Sequence, residues 1–426
     1  MKSEKRRGLS RRDVLRCGAA AAGGLVAAPV IITSSALGAP GHAPASDRIV
    51  MGTIGYGGRA SYVMGALMTQ PDVQMVAVCD VKQNRRKAGK AAIDKKYGNT
   101  DSKAYIDLLE LLARSDIDAV LIATGDNWHS LAACLAARAG KDIYCEKPMS
   151  VTIAEGRQLA ETIRRYATVF QCGTQRRSLD HFKFATNLVQ RGLLGEIRDV
   201  YAEKAPWWIE TYQTRLPAEP EPPREVFDWD RWLGPAAWRP YNKKYPTRSF
   251  WGGHLDFAGG SYTEWGSHTV DLCQWATGMD HTSPVEYEPV GSDVVATYAN
   301  GMKLHITQPI GKGSCGVRYE GTEGWVQVDD SGHIEVYPES LRATWRLGKG
   351  YPVDNHVRNF LDCVKTRQQP VSTADAAHHS ITACHVANIC RRLGRPVKWN
   401  PQKELFIDDE EANRFVLRAY RQPWRL

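Results

Sequence analysis

Two clusters in this sequence carry residue types that can move protons. In C145-E-K-P-M149, a glutamate and a lysine arrive at the end of the short apolar run Ile143–Cys145. Charges beside a core strand are costly unless they are paired or used, so Glu146 and Lys147 need a reason to be there. A lysine at that edge can hydrogen-bond a substrate hydroxyl; a surface lysine ahead of a turn proline is the plainer alternative. Pro148 fixes the turn in either case, and the Lys–Pro bond is open to the cis form. Glu146 reads as a local partner holding the turn or as the counter-ion of Lys147. The second cluster is G259-G-S-Y-T-E-W-G-S-H-T-V-D271. On one helix, Glu264, His268 and Asp271 would form a polar stripe, with Trp265, Val270, Leu272 and Trp275 on other faces. Such a stripe serves as an internally paired hydrogen-bond set, as metal ligands, or as acid–base machinery. Histidine titrates near neutrality and can take a hydroxyl proton as hydride leaves the carbon, with Glu264 orienting the ring and keeping it charged. The metal reading is the weakest, because no zinc-type spacing occurs, and no metal is expected.

The hydride acceptor is indicated further upstream. An apolar run, Ile49–Ile54, enters G55-Y-G-G-R-A60. In this GxGxxA pattern, Gly55 allows the tight turn, and Gly57 lets backbone approach a pyrophosphate at a helix start that also carries Gly58, Arg59 and Ala60. Asp80 ends the next strand, 20 residues after Ala60, where a ribose-binding carboxylate belongs. A carboxylate there repels a 2′-phosphate, so NAD is expected over NADP, although Lys82, Arg85 and Arg86 lie close by. Thr124, Asp126 and His129 in A123-T-G-D-N-W-H129 stand at a further strand end, where ligands of such sheets sit. His129 reads as a nicotinamide neighbour or, more plainly, as a helix-start cap.

These residues need a doubly wound sheet to position them. Strands at Ile49–Ile54, Val73–Val78, Ala119–Ala123, Ile143–Cys145 and Val169–Cys172 alternate with helical patterns, among them 60–68, 82–97, 104–113, 130–139 and 153–166. That alternation implies a parallel sheet. The texture changes near residue 175. Residues 206–260 hold eight prolines and six tryptophans, a long irregular segment of the kind that is usually functional. Residues 285–350 read as short strands with glycine turns, an open antiparallel or mixed sheet, and 355–393 as helical. The fold class expected is therefore α/β, with a Rossmann dinucleotide-binding domain at 47–172 and an α+β domain at 173–426.

Composition sets limits. The chain has 426 residues, 43% hydrophobic and 24% charged, a globular composition. Its net charge of +8 is concentrated at the start, where residues 1–39 carry seven basic and two acidic side chains. No basic stripe with interleaved aromatics follows, which argues against nucleic acid as a partner. Residues 1–46 read as a targeting segment and linker. S10-R-R-D-V-L-R16 precedes an uncharged run and small residues at 36–39, resembling a twin-arginine signal with Val14 where phenylalanine is preferred. The expected partner is then the twin-arginine export machinery and the expected location periplasmic or otherwise exported. Ten cysteines without CxxC spacing read as core residues rather than a disulfide framework.

Taken in order, strand-GxGxxA, Asp80, T124-G-D-N-W-H129, Glu146-Lys147-Pro148, G173-T-Q-R-R177, Trp232-Leu233-Gly234-Pro235, the Gly259–Asp271 cluster and E320-G-T-E-G-W325 resemble the Gfo/Idh/MocA oxidoreductases, which act on sugars and cyclitols. The resemblance runs from residue 48 to the end. It implies that Lys147 contacts both nicotinamide and the reacting hydroxyl, and that the second domain closes over a carbohydrate and often forms a homodimer or homotetramer interface. Glu264 stands where the family has an aspartate. The cofactor set is Gly55, Gly57, Gly58, Arg59, Ala60, Asp80, Thr124, Asp126, His129, Glu146 and Lys147. The catalytic set is Lys147, His268 and Glu264. Substrate contacts are expected from His268, Arg176, Arg177, Lys204 and Tyr241, while most other aromatics of the irregular segment read as core. His378 and His379 read as exposed helix residues. The function expected is an exported NAD-dependent dehydrogenase of a sugar or cyclitol secondary alcohol. The alternatives are a redox-neutral glycosidase or lyase that retains its NAD and a non-catalytic sugar-binding protein on the same fold.

Overall fold

The computed structural model describes residues 43–206, 214–344 and 353–426. The twin-arginine segment and Trp207 and Trp208 lie outside the described residues. Two compact units divide at Arg48 and Ile49. Of the first, the described part is a single 3₁₀ turn at Ala45–Asp47.

A six-stranded parallel sheet occupies the N-terminal half: β1 (Ile49–Ile54), β2 (Val73–Cys79), β3 (Lys103–Tyr105), β4 (Ala119–Ile122), β5 (Asp142–Cys145) and β6 (Phe170–Cys172). Their order is β3-β2-β1-β4-β5-β6. The chain reverses its direction of travel across the sheet between β1 and β4, which opens a crevice at their carboxyl ends. β4 and β5 are buried along their whole length, as strands covered on both faces must be. The helix expected at 104–113 is instead β3 followed by a short helix, Leu108–Leu112. The Asp107 carboxylate accepts from the Leu109 N–H at 2.9 Å and starts that helix one turn late, which frees Lys103–Tyr105 to pair with β2.

The C-terminal half is built on a nine-stranded sheet: β7 (Ile197–Glu203), β8 (Glu286–Val290), β9 (Asp293–Thr297), β10 (Lys303–Thr307), β11 (Val317–Gly321), β12 (Trp325–Val328), β13 (Ile334–Tyr337), β14 (Val397–Asn400) and β15 (Leu405–Phe406). The order is β13-β12-β11-β7-β10-β9-β8-β14-β15. β7 and β10 run parallel and the other pairs antiparallel, so the sheet is mixed, as expected. Alternate burial along β9, β10 and β12 marks one covered face. Helices Asp180–Gln190, Gly266–Thr277 and Ala374–Leu393 supply that cover, and Ala374–Leu393 also packs on Ile153–Arg165 of the first half. One apolar core therefore runs through both halves.

His378, read as exposed, is fully buried and meets the Glu404 carboxylate at 2.6 Å, because its helix is enclosed on most sides. Nine described cysteines are free and buried. The irregular segment forms a satellite aromatic core around Phe227, Trp229, Tyr245 and Phe257.

Candidate active site

The dinucleotide crevice starts at the turn after β1. Gly55 has φ +85°, and a Cβ there would stand 2.6 Å from the Ala123 carbonyl oxygen, so only glycine lets β1 and β4 approach this closely. Gly57 precedes helix Gly58–Thr69 and no side chain caps the first turn. A Cβ on Gly58 would meet nothing within 4 Å. Uncapped N–H groups at an open helix start form an anion cradle. The Asp80 carboxylate accepts from Tyr56 N and Lys82 N, each at 2.8 Å, and lines the crevice. Burial raises its pKa, yet with two fixed backbone donors it keeps lone pairs for ribose hydroxyls. Arg86 is turned away, donating to the Asp80 and Glu225 carbonyls. Burial and the Arg85 charge lower the Lys82 pKa to about 8. Cradle, glycines and carboxylate together fit a dinucleotide.

Thr124 stands at the end of β4 and lines both this crevice and a second cavity. Arg59, Ala123, Arg248 and Trp251 are likewise common to the two, so the cavities form one continuous cleft. The second cavity holds Lys147, Asp126, His129, Glu146, Arg176, Glu264 and His268.

The Lys147–Pro148 bond is cis, and the loop that carries it is gripped from below. His129 Nδ1 lies 2.7 Å from the Pro148 carbonyl, and Ser130 Oγ donates to Met149 O at 2.7 Å. A carbonyl only accepts, so His129 carries its proton on Nδ1. His129 thus positions the loop that carries Lys147, and burial lowers its pKa. Glu146 accepts from Arg59 Nε at 3.0 Å and from Gln175 Nε2 at 2.8 Å. A Cβ on Gly173 would collide with that carboxylate. Glu146 is therefore the local partner that ties the turn to Arg59, and it is not the counter-ion of Lys147.

That counter-ion is Glu264. Lys147 Nζ donates to the Glu264 backbone oxygen at 2.9 Å and pairs with Oε1 at 3.0 Å. An ammonium has three N–H donors; these contacts use two and leave one for an oxygen in the cleft. Arg248 also pairs with Glu264 Oε1. Burial alone would raise the Glu264 pKa, but the charges of Lys147 and Arg248 bring it below its ordinary value.

The expected stripe breaks at Trp265. Glu264 ends helix Gly260–Glu264, and His268 belongs to the next helix, Gly266–Thr277. No hydrogen bond joins Glu264 to His268 among the described residues, so Glu264 does not orient the imidazole. Nor is His268 kept charged: burial, then the Arg176 and Lys147 charges, lower its pKa well below the ordinary value. The ring is thus held neutral, the form that can accept a proton, while the same burial and charges make it a weaker base than a free imidazole. Asp271 takes the structural role. It receives Arg177 Nε and Nη2 at 2.6 and 2.8 Å in a fully buried pair.

Three expected substrate contacts move elsewhere for the same kind of reason. Arg177 is 2% exposed and also reaches Asp280, so it is a buried strut. Lys204 pairs with Asp293 Oδ1 at 3.2 Å and sits over the Tyr262 ring. Tyr241 packs edge-on against Phe227 and Trp229. Arg176 does line the second cavity, held by Asp330 through Nε at 2.8 Å. Sequence reasoning missed Arg248, and with it Trp424, which packs on Trp128 at the crevice mouth with ring centroids 4.8 Å apart. Trp251 lines the cleft rather than the satellite core's interior.

The comparisons agree with this architecture. Residues 49–174 match the oxidoreductase-family model for the NAD-binding Rossmann fold, and residues 181–426, more than half of the chain, match its C-terminal alpha/beta domain. The myo-inositol 2-dehydrogenase of Thermotoga maritima is 29% identical over 146 residues, 34% of this chain and 42% of that protein. The chain thus spans under half the length of this curated relative. The aldose-aldose oxidoreductase of Caulobacter crescentus superposes with a TM-score of 0.59 at 18% identity, covering 82% of this chain and 99% of that one. The WlbA dehydrogenase of Chromobacterium violaceum, in complex with NADH and UDP-GlcNAcA, gives 0.62 at 19% identity, covering 83% and 96%. At those identities the likeness establishes the fold. The chain belongs to the Gfo/Idh/MocA oxidoreductase family, with an NAD-binding Rossmann half and a C-terminal alpha/beta half.

Proposed function

We propose that this chain is an NAD-dependent oxidoreductase acting on a secondary alcohol of a sugar or cyclitol, with Lys147 and His268 as the groups at the reacting oxygen. The observation that carries the reading is the continuity of the cleft. The glycine cradle and Asp80 open directly into the cavity holding Lys147, Glu264 and His268. Bound NAD supplies the hydride-accepting nicotinamide. The remaining N–H of Lys147 donates to the alcohol oxygen and stabilises the negative charge that develops there. Neutral His268 accepts the hydroxyl proton. Glu264 holds Lys147 in place, and Arg248 shares that carboxylate and closes the cleft beside Trp251. The myo-inositol dehydrogenase relative supports a polyhydroxylated ring as substrate. The S10-R-R-D-V-L-R16 stretch supports export through the twin-arginine pathway; changing Arg11 and Arg12 to lysine should strand the precursor in the cytoplasm.

The test follows nicotinamide absorbance with a panel of sugars and cyclitols, after checking for co-purified NAD(H). Net reduction of added NAD, lost in Lys147→Ala and His268→Ala, supports the assignment. Wild-type turnover in either variant overturns it, and glycoside cleavage without net reduction points to redox-neutral chemistry.

A further inference from the structure

Asp126 is a carboxyl without a cation of its own in a cleft that contains several. It opens helix Asp126–Arg138, is 6% exposed, and lines the second cavity. No other residue donates to its carboxyl among the described residues; only its own backbone N–H reaches it. The charged neighbours are committed elsewhere. Lys147 and Arg248 both bond Glu264. Arg59 bonds Glu146, and Arg176 bonds Asp330. Glu264 and Glu146 add negative charge to the same cleft, and the histidines facing it, His129 and His268, have lowered pKa values and stay neutral.

A buried, unpaired carboxylate beside a second carboxylate is unfavourable, and the group takes up a proton instead. We propose that Asp126 is a neutral carboxylic acid at working pH and donates a hydrogen bond to an acceptor oxygen of the substrate: a carbonyl, ring or glycosidic oxygen of an uncharged sugar. Burial and the Glu264 charge raise its pKa to about 8, in line with that state. The cleft then offers two donors of different kinds. Lys147 is a charged donor for the oxygen that becomes negative, and Asp126 an uncharged donor for an oxygen that does not. This extends the sugar-alcohol reading and rests on it for the identity of the oxygen.

The carboxyl can be read without turnover. Infrared difference spectra of the full chain, wild type minus Asp126→Asn, should show a carboxylic-acid carbonyl band at about pH 6 that vanishes as pH rises through about 8. Saturating myo-inositol or glucose, as probes, should shift the band. In the sugar oxidation assay the wild-type KM should rise roughly tenfold between about pH 7 and about pH 9, with kcat less affected, as a donor becomes a repelling acceptor. Asp126→Asn keeps an N–H donor and cannot titrate, so its KM should stay flat over that range. Absence of the band at about pH 6, a band that neither sugar shifts, or an Asp126→Asn KM that still rises each overturns the proposal. Wild-type turnover by Lys147→Ala would instead refute the functional reading while leaving the infrared titration intact.

Discussion

Arg177→Met is expected to cost stability and to leave substrate affinity alone. The guanidinium donates to both oxygens of Asp271, at 2.6 and 2.8 Å, and reaches Asp280 at 2.9 Å. Without it, Asp271 stays fully buried with Ser380 Oγ at 3.1 Å as its remaining side-chain donor. Removing one partner of a buried, hydrogen-bonded pair costs about 3–5 kcal/mol, because the other charge is stranded. For a folded unit of this size that corresponds to a fall in Tm of roughly 4–6 °C. Arg177→Met combined with Asp271→Leu should recover most of the loss, since an apolar replacement of both members is near neutral; Asp280 is half-open to solvent and tolerates the change. Thermal and urea unfolding read the cost, and steady-state kinetics below the transition read KM. A Tm within about 2 °C of wild type together with a tenfold higher KM would return Arg177 to the substrate site and refute the reasoning.

Other outcomes follow from the same geometry. Lys147→Ala should lower kcat by about 10²–10⁴-fold, with NAD affinity, read by fluorescence quenching, changed much less. Gly55→Ala forces a side chain against the Ala123 backbone and should weaken NAD binding at least about tenfold, read by calorimetry. Trp424→Ala removes the ring packed on Trp128 at the crevice mouth and should raise the NAD dissociation constant by up to roughly fivefold, an edge-to-face pair being worth about 1 kcal/mol beyond its burial. Glu404 would be raised by burial, but hydrogen bonds from His378 and Arg157 draw its pKa to about 2, below its unfolded value of about 4.3. The folded state therefore binds fewer protons than the unfolded one in that window, and the stability Glu404 contributes above it is lost as pH falls from about 4 to about 2. Acid unfolding of Glu404→Gln should lack that component.

Much of the dinucleotide half was legible because its parts are local. Gly55 to Ala60 and Asp80 each follow a strand directly, and strand, glycine turn and helix can be read as one phrase. That Lys147 and His268 would come to one cavity was legible by type and position. What was not legible depends on partners far along the chain. Arg177 meets Asp271 across 94 residues, and nothing beside Arg177 in sequence shows that its carboxylate is waiting there. Arg248 lies in a loop-rich stretch and acquires meaning only once Glu264 turns towards it. The stripe of Glu264, His268 and Asp271 obeyed helical spacing, yet the helix breaks at Trp265, and the three side chains serve different neighbours. The late start of the helix after β3 turned on one capping side chain, Asp107, which outweighed the helical pattern around it.

The two bonds that fix Lys147 to Glu264 have a stereochemical consequence. With two of three tetrahedral directions occupied, the ammonium presents its last proton along a single line. The alcohol we propose as substrate would meet that line in one configuration, and its epimer would point the oxygen away. On the proposed function, part of the discrimination between epimers would then reside in the ammonium itself. Loosening Glu264 would make the site more permissive before it made it inactive.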